Sequence, residues 1–253
     1  MLIERTEKDI ILFTINRPEV RNAIDYDVMK ELEKTIETIQ QDPNIKAFVI
    51  TGSGKDAFCS GGDLSIFHKL YTEEEAFKML SRMGGILYKL LTLKCPTVAL
   101  INGYAIGGGC ELATACDYRI ARNGVKVGFV QGKLAITTGW GGGTMLVEKL
   151  LHHQAYRMLF SANTYSALEA KEIGFIHEIL SDEKWMYEGM TFTEKMIDNC
   201  SASVLSAYKE IAITKWKNFN VLERMLEEVS KCSSLWAKEE HHAAVKAFIE
   251  KSK

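Results

Sequence analysis

Proline is scarce in this chain: three residues in 253, at Pro18, Pro43 and Pro96. That excludes a proline-rich spacer, and no linker, low-complexity segment or convincing repeat is present either. No apolar run approaches the length of a membrane span. An excess of one charge is also missing, since 31 Lys and Arg stand against 33 Asp and Glu, for a net charge of -2. Such a balance lacks the basic face of a nucleic-acid or anionic-membrane binder, so neither partner is expected. The six cysteines (Cys59, Cys95, Cys110, Cys116, Cys200 and Cys232) show no CxxC or zinc spacing. Their even number is compatible with disulfides. The start Met1-Leu2-Ile3-Glu4-Arg5 does not read as a signal peptide, however, and a reduced, cytoplasmic protein is expected. No metal site is expected: His152-His153 and His241-His242 are adjacent pairs, and adjacent residues on a helix face different ways.

What is present is strand and helix in alternation. Ile10 to Ile15 reads as a strand, ended by Asn16-Arg17-Pro18. Asp25 is placed to cap a helix with the stripe Val28, Met29, Leu32, Ile36 and Ile39, which Asp42-Pro43 stops. Ala47 to Thr51 is an unbroken apolar run, as suits a strand buried on both faces. Thr72 and Glu75 form a capping box. The helix behind it is expected to bury Phe77, Leu80, Met83, Leu87, Leu90 and Leu91. Thr97 to Ile101 and Tyr118 to Ala121 read as further strands, with a short helix from about Gly108 to Cys116 between them. Ser166 and Glu169 make a second capping box, Gly174 ends that helix, and Phe175 to Leu180 returns as a strand. Beyond about Asp182 the pattern is helical alone. The fold class is α/β with a helical C-terminal part, divided as residues 1–185 and 186–253.

Glycine is concentrated where chemistry is expected. In Asn102-Gly103-Tyr104-Ala105-Ile106-Gly107-Gly108-Gly109-Cys110-Glu111-Leu112 a buried strand turns into a helix. The first N–H groups of a helix lack intrahelical partners and can donate to an anion, aided by the helix dipole. A developing oxyanion would be stabilised there. Glu111 follows Gly108 by three residues, on the same helical face. It is a candidate general acid or base, or it merely complements the helix dipole on a solvated surface. A second glycine turn, Ala57-Phe58-Cys59-Ser60-Gly61-Gly62-Asp63-Leu64, offers another backbone donor, and Asp63 a helix cap. The third, Gly139-Trp140-Gly141-Gly142-Gly143-Thr144, lacks the lysine and spacing of a P-loop and reads as close helix packing.

In this order the segments resemble the enoyl-CoA hydratase/isomerase (crotonase) superfamily. The resemblance is carried by Asn16-Arg17-Pro18 with Asn22-Ala23-Ile24, by Ala57 to Leu64, by Pro96 to Ala105, by Gly107 to Leu112, by Cys116 to Ala121 and by Ala167 to Leu180. It covers roughly residues 1–185. It implies a crotonase spiral of ββα units, with C-terminal helices that assemble a homotrimer or a dimer of trimers. An acyl-CoA thioester is implied as substrate, with no cofactor besides the CoA it carries. The thioester oxygen would lie between the amides of Gly62 and Gly108, with Glu111 at the position of one of two family glutamates. Ala23 and the backbone near Cys59 and Gly61 would contact the adenine end of CoA, and Arg21 and C-terminal lysines its phosphates. Gln131, Trp140 and Tyr104 are candidate acyl-pocket residues, with core packing the other reading of Trp140. His68 is either a pocket residue or simply solvated.

The match departs at the second glutamate. Counting back from Gly142-Gly143-Thr144 without a gap puts Gly132 there, and glycine transfers no proton. Loss of one of two acid–base groups commonly costs about 10²–10⁴-fold in rate. Hydration of an enoyl-CoA is the expected activity. The gap favours an alternative, decarboxylation of methylmalonyl- or ethylmalonyl-CoA, since Phe129-Val130 and Gly139 to Thr144, with the preceding Ala115-Cys116-Asp117, look more like the ethylmalonyl-CoA decarboxylase branch. Enoyl-CoA isomerisation, thioester hydrolysis and a non-catalytic binding role remain open.

Overall fold

The computed structural model describes residues 1–251. Within them the strands form two sheets. The larger runs, in spatial order, through β1 (Leu2–Arg5), β2 (Ile10–Ile15), β3 (Ala47–Gly52), β5 (Thr97–Ile101), β7 (Tyr118–Arg122) and β10 (Glu178–Leu180). The smaller runs through β4 (Ala57–Cys59), β6 (Tyr104–Ile106), β8 (Lys126–Gly128) and β9 (Tyr165–Ser166). Neighbours β2, β3, β5, β7 and β10 are parallel, as are β4, β6 and β8.

The helices are α1 (Tyr26–Gln41), α2 (Leu64–Phe67), α3 (Glu73–Leu91), α4 (Gly108–Ala115), α5 (Gly142–Lys149), α6 (His152–Ser161), α7 (Ala167–Ile173), α8 (Trp185–Ile197), α9 (Ala202–Asn218), α10 (Val221–Trp236) and α11 (Glu239–Lys251). The chain visits the large sheet, then the small sheet, then a helix. It does so through β3, β4 and α2–α3, again through β5, β6 and α4, and again through β7, β8 and α5. This is the expected ββα spiral. Each turn of it brings a β-to-helix junction to the same end of the molecule. No helix among the described residues is long and apolar enough to cross a membrane.

Local chemistry sets the element ends. Asp25 accepts from the amides of Asp27 and Val28 at the start of α1, whose expected stripe is buried. Both capping boxes form, Thr72 with Glu75 and Ser166 with Glu169, and Gly174 closes α7 at φ +90°. Burial of each large apolar chain on such a face stabilises the fold by about 1.5–3 kcal/mol.

Two expectations are corrected, and one strand was not expected. Phe77 is exposed, because α3 buries Ala76, Met79 and Leu80 and Phe77 lies one residue off that stripe. The returning strand pairs only over Glu178–Leu180; the amides of Phe175 and Ile176 turn back to the Ala170 carbonyl at the end of α7. Strand β1 has all four residues exposed, so it carries no alternation to reveal it.

Helices α9 and α10 contribute Ile213, Trp216, Met225, Val229, Cys232 and Trp236 to the same core as α1, α3 and α4. Helix α8 covers the other face of the large sheet, where Trp185 and Ile197 join Ile10, Val49 and Leu100. Met225, Val229 and Trp236 of α10 are thus buried within the chain. Trp236 also donates its indole N–H to the Leu70 carbonyl, which ties α10 to the segment before α3.

Candidate active site

Two of the junctions meet. Strand β6 ends at Ile106, Gly107 turns the chain, and α4 begins at Gly108, whose N–H is among the orphan donors of a helix start. The turn after β4 carries Gly61 at φ +98°. A Cβ built there would stand 3.1 Å from the Gly108 nitrogen, which measures how closely the loops approach. A parallel bridge pairs Gly62 with Ile24: the Ile24 amide donates to the Gly61 carbonyl, and the Asp63 amide donates to Ile24. In such a bridge the N–H of the middle residue faces the other way, so Gly62 keeps its donor free of that ladder.

Arg17 fixes this loop. Its guanidinium donates to the Ala23 carbonyl at 2.8 Å, and it pairs with Asp63 at 3.0 Å and Asp25 at 3.1 Å. Burial would push the Asp63 carboxyl up, but bonds from Ser65 and Arg17 outweigh it and hold it below its ordinary value.

Trp140 lies beneath both glycines. A Cβ on Gly108 would meet its ring at 2.2 Å, and one on Gly62 would meet it at 3.5 Å. Its two readings are therefore one: the indole is buried, and it is also a wall of the cavity.

Glu111 is the chemical centre. It is 2% exposed, which excludes the solvated reading. One carboxylate oxygen accepts from Gln131 Nε2 at 2.9 Å and the Gly139 amide at 3.3 Å. The other accepts from the amides of Trp140 at 2.8 Å and Gly142 at 2.9 Å. Burial first, then the nearby Glu228 carboxylate, push its pKa up; the three backbone donors pull it back, and it comes to about 7. A carboxyl poised near neutrality both gives and takes a proton under ordinary conditions.

The third glycine cluster is close packing of an unforeseen kind. A Cβ on Gly142 would stand 2.3 Å from Glu111 Cγ, so the segment packs directly on the glutamate. Glu228, from α10, accepts from the amides of Gly143 at 3.0 Å and Thr144 at 2.7 Å and caps α5.

These groups line one cavity of about 440 Å³ that includes Gly61, Gly62, Gly108, Glu111, Gln131 and Trp140. The Oε1 of Gln131 is buried there without a hydrogen-bond partner among the described residues. Other expected residues stand apart from it. Ala23 is buried in the adjoining loop and Cys59 at the end of β4, and the Cys59 thiol is pushed up to about 12 by burial. Arg21 is exposed, and its carbonyl accepts from the Ser60 amide. Tyr104 is half exposed and outside the lining. His68 bonds through Nδ1 to the Leu64 carbonyl of its own helix and borders a neighbouring hollow.

Gly132 lies on the exposed side of its segment. A side chain there would point to Ala162, 3.3 Å away, and Gly132 does not line the cavity. Val130, Gln131, Lys133 and Leu134 of that segment do line it. Sequence reasoning did not single out Lys133, an exposed side chain. It also missed the wall made by Ala244, Ala247 and Phe248 of α11, and Glu228; the helical pattern of this region carries no sign of which face reaches the cavity.

The enoyl-CoA hydratase/isomerase family model matches residues 5–253. The short-chain-enoyl-CoA hydratase of Clostridium acetobutylicum is 30% identical over 253 residues, covering 100% of this chain and 95% of that protein. The crotonyl-CoA hydratase of Syntrophomonas wolfei is 28% identical, covering 100% and 96%. The crystal structure of an enoyl-CoA hydratase from Bacillus halodurans superposes with a TM-score of 0.88 at 22% identity, over 97% of this chain and 98% of that one. Paired glycine junctions, a buried glutamate beside them and a match over nearly the whole length lead to one conclusion: the chain belongs to the enoyl-CoA hydratase/isomerase family and is an enzyme of the crotonase superfamily, a lyase or isomerase.

Proposed function

We propose that this enzyme adds water across the double bond of a short enoyl-CoA, with Glu111 as its acid–base group. The observation that carries the reading is that Glu111 is the one carboxylate lining the cavity among the described residues, with a pKa of about 7. The thioester oxygen is assigned to the amides of Gly62 and Gly108. Glu111, as carboxylate, takes a proton from water while the water oxygen bonds to the β-carbon. The alkene electron pair moves to the thioester oxygen as an enolate. The enolate collapses as the same carboxyl returns a proton to the α-carbon, so that one water is added and the glutamate is restored. Gln131 holds Glu111 through Nε2, and its Oε1 is a suitable acceptor for the attacking water. The relatives named as hydratases support this reading. The CoA nucleotide end is assigned to the loop of Arg21, Ala23, Cys59 and Gly61, and a homotrimer is the proposed assembly.

The test is incubation of the purified protein with crotonyl-CoA, read by loss of the conjugated thioester absorbance and by a product heavier by one water. Glu111→Gln is expected to lower the rate about 10²–10⁴-fold. The single carboxylate also suits a proton moved between the α- and γ-carbons. A 3-enoyl-CoA converted to its 2-isomer, with crotonyl-CoA left unchanged, would replace hydration by isomerisation.

A further inference from the structure

Two charged side chains line the cavity among the described residues, and their signs are opposite. Glu111 is buried beside the glycine junctions. Lys133 is exposed, on the 3₁₀ turn Gln131–Leu134. Much of the remaining lining is apolar, including Leu64, Phe67, Leu80, Ile106 and Leu134. This turn is held at both ends. Gln131 is bonded to Glu111 at 2.9 Å, and the Leu134 carbonyl is bonded to His241 Nδ1 of α11 at 2.6 Å. Lys133 is therefore carried at a fixed place on the cavity, two residues from the group that touches the glutamate. It makes no ion pair among the described residues, whereas Lys89 and Arg224 each pair with a glutamate.

We propose that Lys133 recognises a carboxylate at the far end of the acyl chain, so that the preferred substrates are CoA thioesters of dicarboxylic acids. This rests on the reading that the cavity holds the acyl group of a CoA thioester. An acyl chain that enters past Gly62 and Gly108 runs through apolar walls. If it ends in a methyl group, the ammonium on that wall gains nothing. If it ends in a carboxylate, that anion needs a cation, because an apolar cavity that already holds Glu111 disfavours a second negative charge. Lysine supplies a point charge on a flexible stem, which tolerates some variation in where the carboxylate falls.

Saturated thioesters separate this from turnover. Binding of glutaryl-CoA and of pentanoyl-CoA, which have acyl chains of equal carbon number, is measured by calorimetry at low ionic strength. The wild-type protein is expected to bind glutaryl-CoA about tenfold more tightly, as one charge-assisted bond allows. The preference should vanish in Lys133→Met, persist in Lys133→Arg and invert in Lys133→Glu. Equal binding of the two by the wild-type protein would overturn the proposal, as would a preference that survives in Lys133→Met. If both bind with the expected preference but neither crotonyl-CoA nor glutaconyl-CoA gains water, the hydratase reading fails and the role of Lys133 stands. If neither thioester binds, both fail.

Discussion

Replacing Glu111 by glutamine separates its charge from its packing. In the folded chain the carboxyl has a pKa of about 7, against an ordinary value of 4.5. At about 1.4 kcal/mol per pH unit, that difference corresponds to about 3 kcal/mol. Between these two values the folded state keeps a proton that the unfolded state has released. The stability from that proton is full below about pH 4.5 and is lost as the pH rises through about 7. Glu111→Gln has nothing to titrate. It has a fixed cost instead, because both carboxylate oxygens face donors: Gln131 and Gly139 on one, Trp140 and Gly142 on the other. Whichever way the amide turns, its NH₂ opposes N–H groups, at about 1–3 kcal/mol. The variant is therefore expected to be less stable than wild type at pH 5, and to draw level with it or overtake it at pH 8. Urea denaturation of both proteins at the two pH values checks this, since the other carboxylates titrate alike in each and cancel. Parallel losses of stability in wild type and variant would refute the account of Glu111 as a group whose charge is opposed by burial.

Three further outcomes follow from the same geometry. Gln131→Glu puts a second carboxylate 2.9 Å from Glu111 and should move the acidic limb of the kcat/KM profile for hydration above pH 7 by about one unit or more. Glu228→Gln removes the like charge that helps to raise Glu111, while its amide carbonyl can still accept from the Gly143 amide; the same limb should move below 7, as a pH–rate series would record. Gly108→Ala drives a methyl group into the Trp140 ring, 2.2 Å from its nearest atom. It should cost about 1–3 kcal/mol in urea denaturation, and crotonyl-CoA turnover should fall by at least about tenfold because the orphan amide moves with its helix.

Much of this is legible in the sequence alone. Periodicity and capping chemistry marked α1, α3 and α7, because their stripes and caps are local. The glycine junctions were legible because only a sharp turn or a close approach calls for three successive glycines. Strand β1 was not, since pairing alone defines it and both its faces are solvated. The place of Lys133 on the cavity was not legible, because a count through glycine-rich sequence does not say which side chains face a cavity. The positive φ of Ala135 and Gly141 shows that the backbone between Lys133 and α5 departs from any regular repeat. The hydrogen-bond partners of Glu111 were invisible for another reason. Three of the four are backbone amides, which have no residue signature, and the fourth, Gln131, lies 20 positions away.

The two helix starts at the site share the work between them. Each offers orphan N–H groups that favour negative charge. At α5 the chain supplies that charge itself, with Glu111 on the Gly142 amide and Glu228 on those of Gly143 and Thr144. The anion-binding capacity of α5 is thereby used to hold the base. At α4 no side chain caps the start: Gly107 has no side chain to do so, and Gly108 lies open to the cavity. That helix is left to an anion from outside. A carboxylate cannot serve as a base if it occupies the oxyanion's donors, and a carboxylate without donors would not stay near the reacting carbons. Giving each anion its own helix satisfies both conditions, which explains why the third glycine cluster must approach Glu111 as closely as it does.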